Sequence, residues 1–309
     1  MPKKRGLAAW WANSFSTSGA CAMNRVQQDS RAYASLSLAL AACSLLACST
    51  NPYTDRSQLL LISQSQETQL GAQAYEQVLK DPKVKISQDP REVEPVKRVA
   101  KRVIEAAKTS KYAEMAKQFE WEVNVIKDDK TLNAFALPGG KIAVYTGIFP
   151  IAKNEAGLAA IMGHEVVHAL ARHGGERMSQ NVLAQVGMQA ANITLAVVGV
   201  DPILSQGAMT ALGVGTNMGI LLPFSRAHES EADYIGLLLA AQAGYDPREA
   251  VRVWERMEQV SKGQPAEFLS THPSHGTRIN QLEGWMNEAL SYYKPQPGTA
   301  ADLPSVLVR

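Results

Sequence analysis

The pattern of apolar and polar positions predicts several amphipathic helices and one small sheet. Apolar residues recur at helical spacing between about 94 and 108, and helices with capping residues are also predicted over about 63–80 and 245–260. Between 119 and 147 apolar and polar residues alternate, which is typical of half-buried strands, and a Pro-Gly-Gly turn at 138–140 separates two of them. The predicted fold class is therefore α+β and mainly α.

The most specific chemistry lies on a further predicted helix, in the segment His164-Glu165-Val166-Val167-His168. On a helix, His164 and His168 differ by about 40° around the axis and ~6 Å along it, so both imidazoles can bind one metal ion. Glu165 projects beside them, where a water on that metal would lie. The alternative is a pair of core histidines with a solvated glutamate. All six histidines fall between 164 and 275, and this clustering favours a metal site.

A second predicted helix begins near 225 and carries two carboxylates on one face. Glu229, Asp233 and Gly236 are spaced i, i+4 and i+7 on a face that is otherwise rich in leucine and alanine. A zinc site with two histidine ligands needs another ligand, and Glu229 can supply it from a crossing helix. Asp233 can accept a hydrogen bond from the outer N–H of a ligating histidine, and Gly236 allows close helix approach. For either carboxylate alone, a surface charge is the alternative.

The first 48 residues predict a targeting segment. Residues 32–47 carry no charge, are rich in Leu, Ala and Ser, and follow two arginines. They end in Leu-Leu-Ala-Cys, which resembles a bacterial lipobox with Cys48 as the lipidated residue. An ordinary signal peptide cleaved near Ala47 is the alternative. The resemblance to bacterial lipoproteins, with Ser49 after the cysteine, implies the outer membrane, so we expect a periplasmic protein that is lipid-anchored there.

Composition narrows the remaining function classes. The formal net charge of +2 gives no reason to expect nucleic-acid binding. All three cysteines lie before residue 50, so a cysteine metal site or a disulfide framework is excluded downstream. Between 179 and 225 the only ionisable side chain is Asp201. We expect residues 182–224 to form a buried or membrane-leaning helical pair over the site, with a membrane hairpin as the alternative.

The paired motifs resemble one metallopeptidase family. His-Glu-Val-Val-His followed some sixty residues later by Ser-Arg-x-x-Glu-x-Glu-Ala-Asp is similar to the gluzincins that include HtpX-like and CAAX-prenyl proteases, with the bacterial periplasmic BepA-like branch most similar. Asn-Ala-Phe-Ala-Leu-Pro-Gly-Gly from 133 and Thr-His-Pro from 271 also match, so the resemblance runs from about 51 to 285. It implies a zincin-like fold with a small sheet beside the motif helix and one Zn²⁺ per chain.

The resemblance also implies roles for individual residues. His164, His168 and Glu229 would be zinc ligands, and Glu165 the base. Asp233 matches a position assigned either an acid role or support of a ligand, and physical grounds favour support. In BepA-like relatives the histidine that matches His272 occupies the zinc's open position and keeps the enzyme latent.

Three further positions have less specific predicted roles. His272 is therefore expected as a fourth ligand or substrate-side donor, with loop capping as the alternative. Arg278 is expected to stabilise an oxyanion or to hold a carboxylate, with a structural ion pair as an equal alternative. His173 is assigned to the end of the motif helix, which the glycines at 174–175 are expected to terminate.

The predicted function is zinc-dependent peptide hydrolysis in the bacterial cell envelope. Residues 49–290 would form the metallopeptidase domain, between the targeting segment 1–48 and a Pro-rich tail 291–309. The expected substrates are polypeptides, namely unfolded or misassembled envelope proteins, and the expected membrane contact is the lipid anchor at Cys48. The competing hypothesis is a chaperone-like outer-membrane assembly factor whose zinc site is latent.

Overall fold

The computed structural model describes residues 48–184, 224–261, 268, 272 and 276–305. The chain divides at Cys48 into two compact units, and almost all described elements belong to the second, residues 49–309. The strands are β1 (Cys48–Thr50), β2 (Ser57–Leu59), β3 (Glu122–Ile126), β4 (Ala134–Leu137) and β5 (Lys141–Tyr145). The helices are α1 (Gln64–Lys80), α2 (Pro90–Ala107), α3 (Ala113–Gln118), α4 (Phe149–Ala152), α5 (Glu155–Leu170), α6 (described over 173–184), α7 (Arg226–Gln242), α8 (Arg248–Ser261) and α9 (Arg278–Tyr292).

Helix α5 forms the centre of the core. All of its residues except Ala160 are buried, because α2, α7, α8 and the sheet surround it. Its apolar side chains therefore cover nearly the whole circumference, as expected of a helix with no solvent face. The predicted cap is confirmed: the Asn154 side chain accepts a hydrogen bond of 2.8 Å from the Gly157 N–H. The start of the helix is thus set locally.

Helices α5 and α7 touch through their backbones. A Cβ atom on Gly163 would lie 2.7 Å from the Gly236 carbonyl oxygen, and a Cβ on Gly236 would lie 2.7 Å from the His164 nitrogen. The close approach predicted at Gly236 is therefore confirmed. It brings the first two turns of α7 against the motif residues of α5, which positions the candidate site.

The three-stranded sheet has the order β3-β5-β4, with β3 parallel and β4 antiparallel to β5. The turn between β4 and β5 places Gly139 and Gly140 at φ +85° and +86°, a conformation that side chains other than glycine rarely adopt. Strand β4 lies at an edge of the sheet and packs beside α5. The predicted fold class, mainly helical with a small sheet beside the motif helix, is confirmed.

The chain turns sharply at the end of α5, earlier than the sequence predicts. The helix ends at Leu170, Arg172 takes the left-handed conformation at φ +57°, and α6 begins at residue 173. The prediction that the glycines at 174–175 end the motif helix is therefore wrong, because both lie inside α6. The physical reason is remote in sequence: Arg172 Nε lies 3.1 Å from Glu67 Oε1, and its Nη2 lies 2.7 Å from the Ile62 carbonyl oxygen.

The chain beyond α9 returns to the start of α5. The Glu155 N–H donates to the Ala301 carbonyl at 2.9 Å, and the Leu303 N–H donates to the Lys153 carbonyl at 3.0 Å. The helical pair expected over 182–224 lies almost wholly outside the described residues. Within the described ranges, no helix is both long enough and apolar enough to cross a membrane.

Candidate metal centre

Four predicted site residues meet at one buried point. His164 and His168 come from α5, Glu229 from the first turn of α7, and His272 from the chain between α8 and α9. Each offers one ligand atom, and these four atoms all lie within 4.8 Å of one another. All four residues are at most 4% exposed. The structure therefore brings together the whole ligand set that the sequence predicts.

The distances within this cluster fit a shared cation. His164 Nε2 lies 3.0 Å from His168 Nε2 and 3.3 Å from His272 Nδ1, and His272 Nδ1 lies 3.0 Å from Glu229 Oε1. Three imidazole nitrogens and one carboxylate oxygen are donors that Zn²⁺ prefers in tetrahedral sites. The donor set and its spacing therefore fit zinc.

Glu165 lies beside the cluster with one oxygen free of hydrogen bonds. Its side chain is buried, and Oε1 has no hydrogen-bond partner within the described part of the chain. His272 Nε2 lies 3.5 Å from that atom. Because buried polar atoms are nearly always hydrogen-bonded, an unpaired carboxylate oxygen here indicates a place for a polar partner.

Burial and charge set the protonation of the cluster. Burial lowers the pKa of His168 well below its ordinary value. Burial opposes ionisation of Glu229, but hydrogen bonds with His168 and His272 outweigh it and lower the Glu229 pKa strongly. A neutral imidazole and an ionised carboxylate are the forms that bind metals. Burial raises the pKa of Glu165, which favours a group that accepts a proton near neutral pH.

Asp233 and Arg278 bind residues of the cluster through His164 Nδ1 and Glu229 Oε2. Asp233 Oδ1 lies 2.9 Å from His164 Nδ1, the nitrogen that faces away from the other ligand atoms. Arg278 donates to both Asp233 oxygens and to Glu229 Oε2, and its guanidinium lies 3.6 Å from the Trp254 ring centroid. Of the roles left open for Arg278, the structure shows the one that holds carboxylates.

His173 is the residue that the sequence assigned wrongly. It is completely buried, and its Nδ1 lies 3.0 Å from Nδ1 of His168. A helix continued past Leu170 would direct His173 elsewhere, and only the left-handed Arg172 turns it back. The sequence contains no local signal for this turn, since Arg172 is neither glycine nor asparagine. His275 lies outside the described residues.

The segment that carries His272 packs closely on the site. The Phe268 ring stacks on the His272 ring with 4.5 Å between centroids, and the His272 N–H donates to the Phe268 carbonyl at 2.8 Å. The Phe268 N–H donates at 3.2 Å to the carbonyl of Leu132, which lies two residues before β4. Phe224 stacks on His168 from another side, with 3.9 Å between centroids. Aromatic rings thus stack on two of the cluster's imidazoles.

Comparison with known proteins identifies similar metallopeptidases. The chain is 42% identical to mitochondrial metalloendopeptidase OMA1 of Schizosaccharomyces pombe over 198 residues, which cover 63% of this chain and 53% of that protein. It is 31% identical to mitochondrial metalloendopeptidase OMA1 of Saccharomyces cerevisiae over 284 residues, 87% of this chain and 78% of that protein. A more distant relative is the beta-barrel assembly-enhancing protease of Escherichia coli, 29% identical over 167 residues, 53% of this chain and 34% of that protein. The chain thus spans only about half of the fission-yeast relative.

These relatives contradict the predicted location. The two OMA1 relatives are described as mitochondrial, whereas the sequence pattern predicts a bacterial periplasmic protein that is lipid-anchored to the outer membrane. That prediction is wrong, and the comparisons give no support to the BepA-like lipoprotein branch or to a lipid anchor at Cys48. The short apolar segment before residue 48 carries too little information to distinguish one targeting system from another.

The family itself follows from a match over most of the folded chain. The family model of peptidase family M48 matches residues 90–286, which include α5, α7 and all residues of the cluster. The family match confirms the expectation of a zinc metallopeptidase with a zincin-like fold. The structure also contains the expected cluster of residues able to bind the metal. This chain belongs to peptidase family M48.

Proposed function

We propose that this protein is a zinc-dependent metalloendopeptidase similar in activity to the OMA1 relatives. The observation that carries the proposal is the buried cluster of His164, His168, Glu229 and His272 beside the unpaired oxygen of Glu165. A structural metal site needs only ligands, whereas an unpaired buried carboxylate beside them is suited to catalysis.

His164, His168 and Glu229 are the proposed zinc ligands. When bound, Zn²⁺ supplies a Lewis acid that polarises the scissile carbonyl and makes water acidic enough to attack near neutral pH. Asp233 accepts a hydrogen bond from His164 Nδ1, which fixes the tautomer that leaves Nε2 free for the metal. Arg278 also holds both Asp233 oxygens, so we assign Asp233 to positioning His164 and not to protonating the leaving amine.

Glu165 is the proposed general base. Its Oε1 takes a proton from the attacking water and passes it to the nitrogen of the departing amine as the peptide bond breaks. Burial raises the pKa of this carboxyl, which strengthens it as the acceptor of the water's proton. The roles of base and later acid thus fall on one side chain.

The proposed substrates are unfolded or misassembled polypeptides in extended conformation. Strand β4 lies at the edge of the sheet and beside α5, and the backbone of its Ala136 hydrogen-bonds to Glu165. An extended peptide that adds to such an edge is held by main-chain hydrogen bonds, which are independent of its side chains. A broad choice of polypeptides follows from that mode of binding.

His272 is proposed as a fourth ligand that keeps the enzyme latent. Its Nδ1 lies among the other donor atoms, so all four positions of a tetrahedral site are supplied by protein. Substrate then needs His272 and the stacked Phe268 to withdraw. Replacing His272 with alanine should raise peptidase activity, and a His272→Ala protein that is less active than wild type contradicts latency.

Glu165→Gln tests the proposed activity. The variant should lose cleavage of casein while it retains one zinc per chain and an unchanged melting temperature. Glu120→Gln, an exposed carboxylate before β3, serves as the control and should cleave like wild type. Continued cleavage by Glu165→Gln, or a wild-type protein that binds no zinc, contradicts the proposal.

A further inference from the structure

A second polar cluster adjoins the candidate metal centre. Five of its members are buried or partly buried and Thr54 is exposed; they come from the β1–β2 connection, α6 and α7. They are Thr54, Arg56, His173, Glu176, His228 and Glu231. The described donors of this cluster do not form a second group close enough to hold a metal, since the four-residue site above is the one such group in the described ranges.

His173 connects the two clusters. Its Nδ1 lies 3.0 Å from His168 Nδ1, and its Nε2 lies 3.0 Å from Glu231 Oε2. His168 faces the other proposed ligands with its opposite nitrogen, Nε2, which lies 3.4 Å from Glu229 Oε1. A continuous path of hydrogen-bonding atoms thus runs from the metal centre to the Glu231 carboxylate.

Only one arrangement of protons satisfies this path when His168 binds a metal. Nε2 then uses its lone pair as ligand, so Nδ1 of His168 carries the proton and donates it to Nδ1 of His173. His173 Nε2 in turn carries a proton and donates to Glu231. Burial lowers the pKa of His173 to about 4, which keeps that ring neutral and able to accept as well as donate.

The far end of the path is held in place by charge. Arg56 Nη2 lies 2.8 Å from Glu231 Oε2, and the Thr54 hydroxyl donates to Glu231 Oε1. Burial opposes ionisation of Glu231, but hydrogen bonds from His173, Arg56 and Thr54 outweigh it and lower its pKa to about 2. The carboxylate is therefore a charged and fixed acceptor for His173.

His228 has surroundings similar to those of His173 but does not contact a proposed metal ligand. Its ring stacks on the His173 ring with 4.6 Å between centroids and 16° between planes. Its Nε2 lies 3.0 Å from Glu176 Oε2, and Arg56 also holds Glu176 through two bonds of 2.8 Å. Both histidines are thus buried, stacked and bonded to a carboxylate on Arg56, but only His173 touches a proposed ligand.

We infer that His173 is a positioning residue for the metal ligand His168, orienting its ring and fixing its tautomer through a bridge to the Glu231 carboxylate. This inference rests on the proposed function, because it requires His168 to ligate zinc. His173 supports His168 in the way that Asp233 supports His164, with an imidazole inserted between ligand and carboxylate. It also ties Arg56, from the start of the described chain, to the metal centre.

The test compares His173→Phe with His228→Phe, both zinc-loaded from purified full-length protein. Outer-sphere partners of metal-bound histidines typically change metal affinity 10–100-fold, so the zinc dissociation constant of His173→Phe should rise by about that factor in competition with a chelator. His228→Phe should change it by less than about threefold, while both variants lower the melting temperature of the zinc-free protein similarly. His173→Gln, whose amide can accept from His168 and donate to Glu231, should recover part of the affinity.

The remaining outcomes show whether the inference about His173 or the proposed function is wrong. If both phenylalanine variants bind zinc as tightly as wild type, or both weaken it equally, His173 has only a general structural role and the inference fails. If wild-type protein binds no zinc, the proposed function fails. Should His173→Phe not fold, Glu231→Gln and Glu176→Gln make the same comparison with smaller changes: Glu231→Gln should weaken zinc binding more, and equal effects overturn the inference.

Discussion

Arg278 holds the Asp233 carboxylate at two points, with Nε 2.7 Å from Oδ2 and Nη2 2.6 Å from Oδ1. Both side chains are 3% exposed. The remaining nitrogen, Nη1, lies 2.7 Å from Glu229 Oε2. One buried cation therefore holds both the proposed ligand carboxylate of Glu229 and the Asp233 carboxylate that orients His164. The site depends on Arg278 through these two carboxylates, and we assign Arg278 no contact with substrate.

Arg278→Met should destabilise the zinc-free protein by about 3–5 kcal/mol, because it leaves two buried carboxylates without their cation. Urea unfolding measures the loss. Arg248→Met is the matched control, since Arg248 also binds Asp246 at two points but is 58% exposed at its side chain. The control should leave the free energy of unfolding nearly unchanged, because solvent screens an exposed ion pair. Equal losses contradict the view that burial makes Arg278 essential.

Asp233→Asn separates positioning from acid catalysis. We expect a fall of about 10–100-fold in zinc affinity, because the charged acceptor for His164 Nδ1 is lost. At saturating zinc, kcat should return to within about tenfold of wild type, with an unchanged pH profile. A fully zinc-loaded variant that is as inactive as Glu165→Gln indicates instead that Asp233 transfers a proton.

Gly236→Ala tests the backbone contact between α5 and α7. The added methyl would meet the His164 nitrogen at 2.7 Å and the Gly163 carbonyl carbon at 2.9 Å, so the helices must separate. Overpacking of this kind costs about 1–3 kcal/mol, and the separation should also weaken zinc binding. Gly284→Ala in α9 is the control, because a Cβ there has no neighbour within 4 Å. It should stabilise α9 by up to about 1 kcal/mol through helix propensity alone.

Glu176→Gln should reduce the acid sensitivity of the fold. Burial opposes ionisation of Glu176, but hydrogen bonds from His228 and Arg56 outweigh it and lower its pKa in the folded chain. Because its pKa is lower in the folded chain than in the unfolded chain, ionised Glu176 stabilises the fold at pH values above the unfolded pKa of about 4.5. This stabilisation is lost as the pH falls below that pKa. Wild-type protein should therefore lose more free energy of unfolding than Glu176→Gln between about pH 5 and pH 3. The exposed Glu120→Gln is the control and should keep the wild-type dependence of unfolding free energy on pH. If Glu176→Gln shows that same dependence, the assignment is wrong.

Much of the site was predictable because it depends on spacing within single helices. The four-residue separation of His164 and His168 places both rings on one face wherever the helix lies. The same spacing places Asp233 one turn after Glu229, and Asn154 caps α5 through a bond to Gly157 only three residues away. Such relationships follow from helix geometry, so one sequence suffices for them.

The choice of partners for Arg278 depended on a helix that arrives late in the chain. Its carboxylates lie on α7, so sequence reasoning left its role open, and only the packing of α9 against α7 decided it. The sequence likewise indicated His272 by resemblance alone. Its approach to Glu229 depends on the backbone bonds of Phe268 and on the stacking of the two rings.

The sequence by itself determined the metal-ligand pattern on α5 and α7, the small sheet and the fold class. Only the tertiary structure decided where His173 points, and therefore that the metal centre extends to Glu231 and Arg56. The reason lies in Arg172, whose left-handed backbone ends α5 and is stabilised by Glu67, 105 residues earlier in the chain. Local propensity favours continuation of the helix at an arginine, and a long-range ion pair outweighs it.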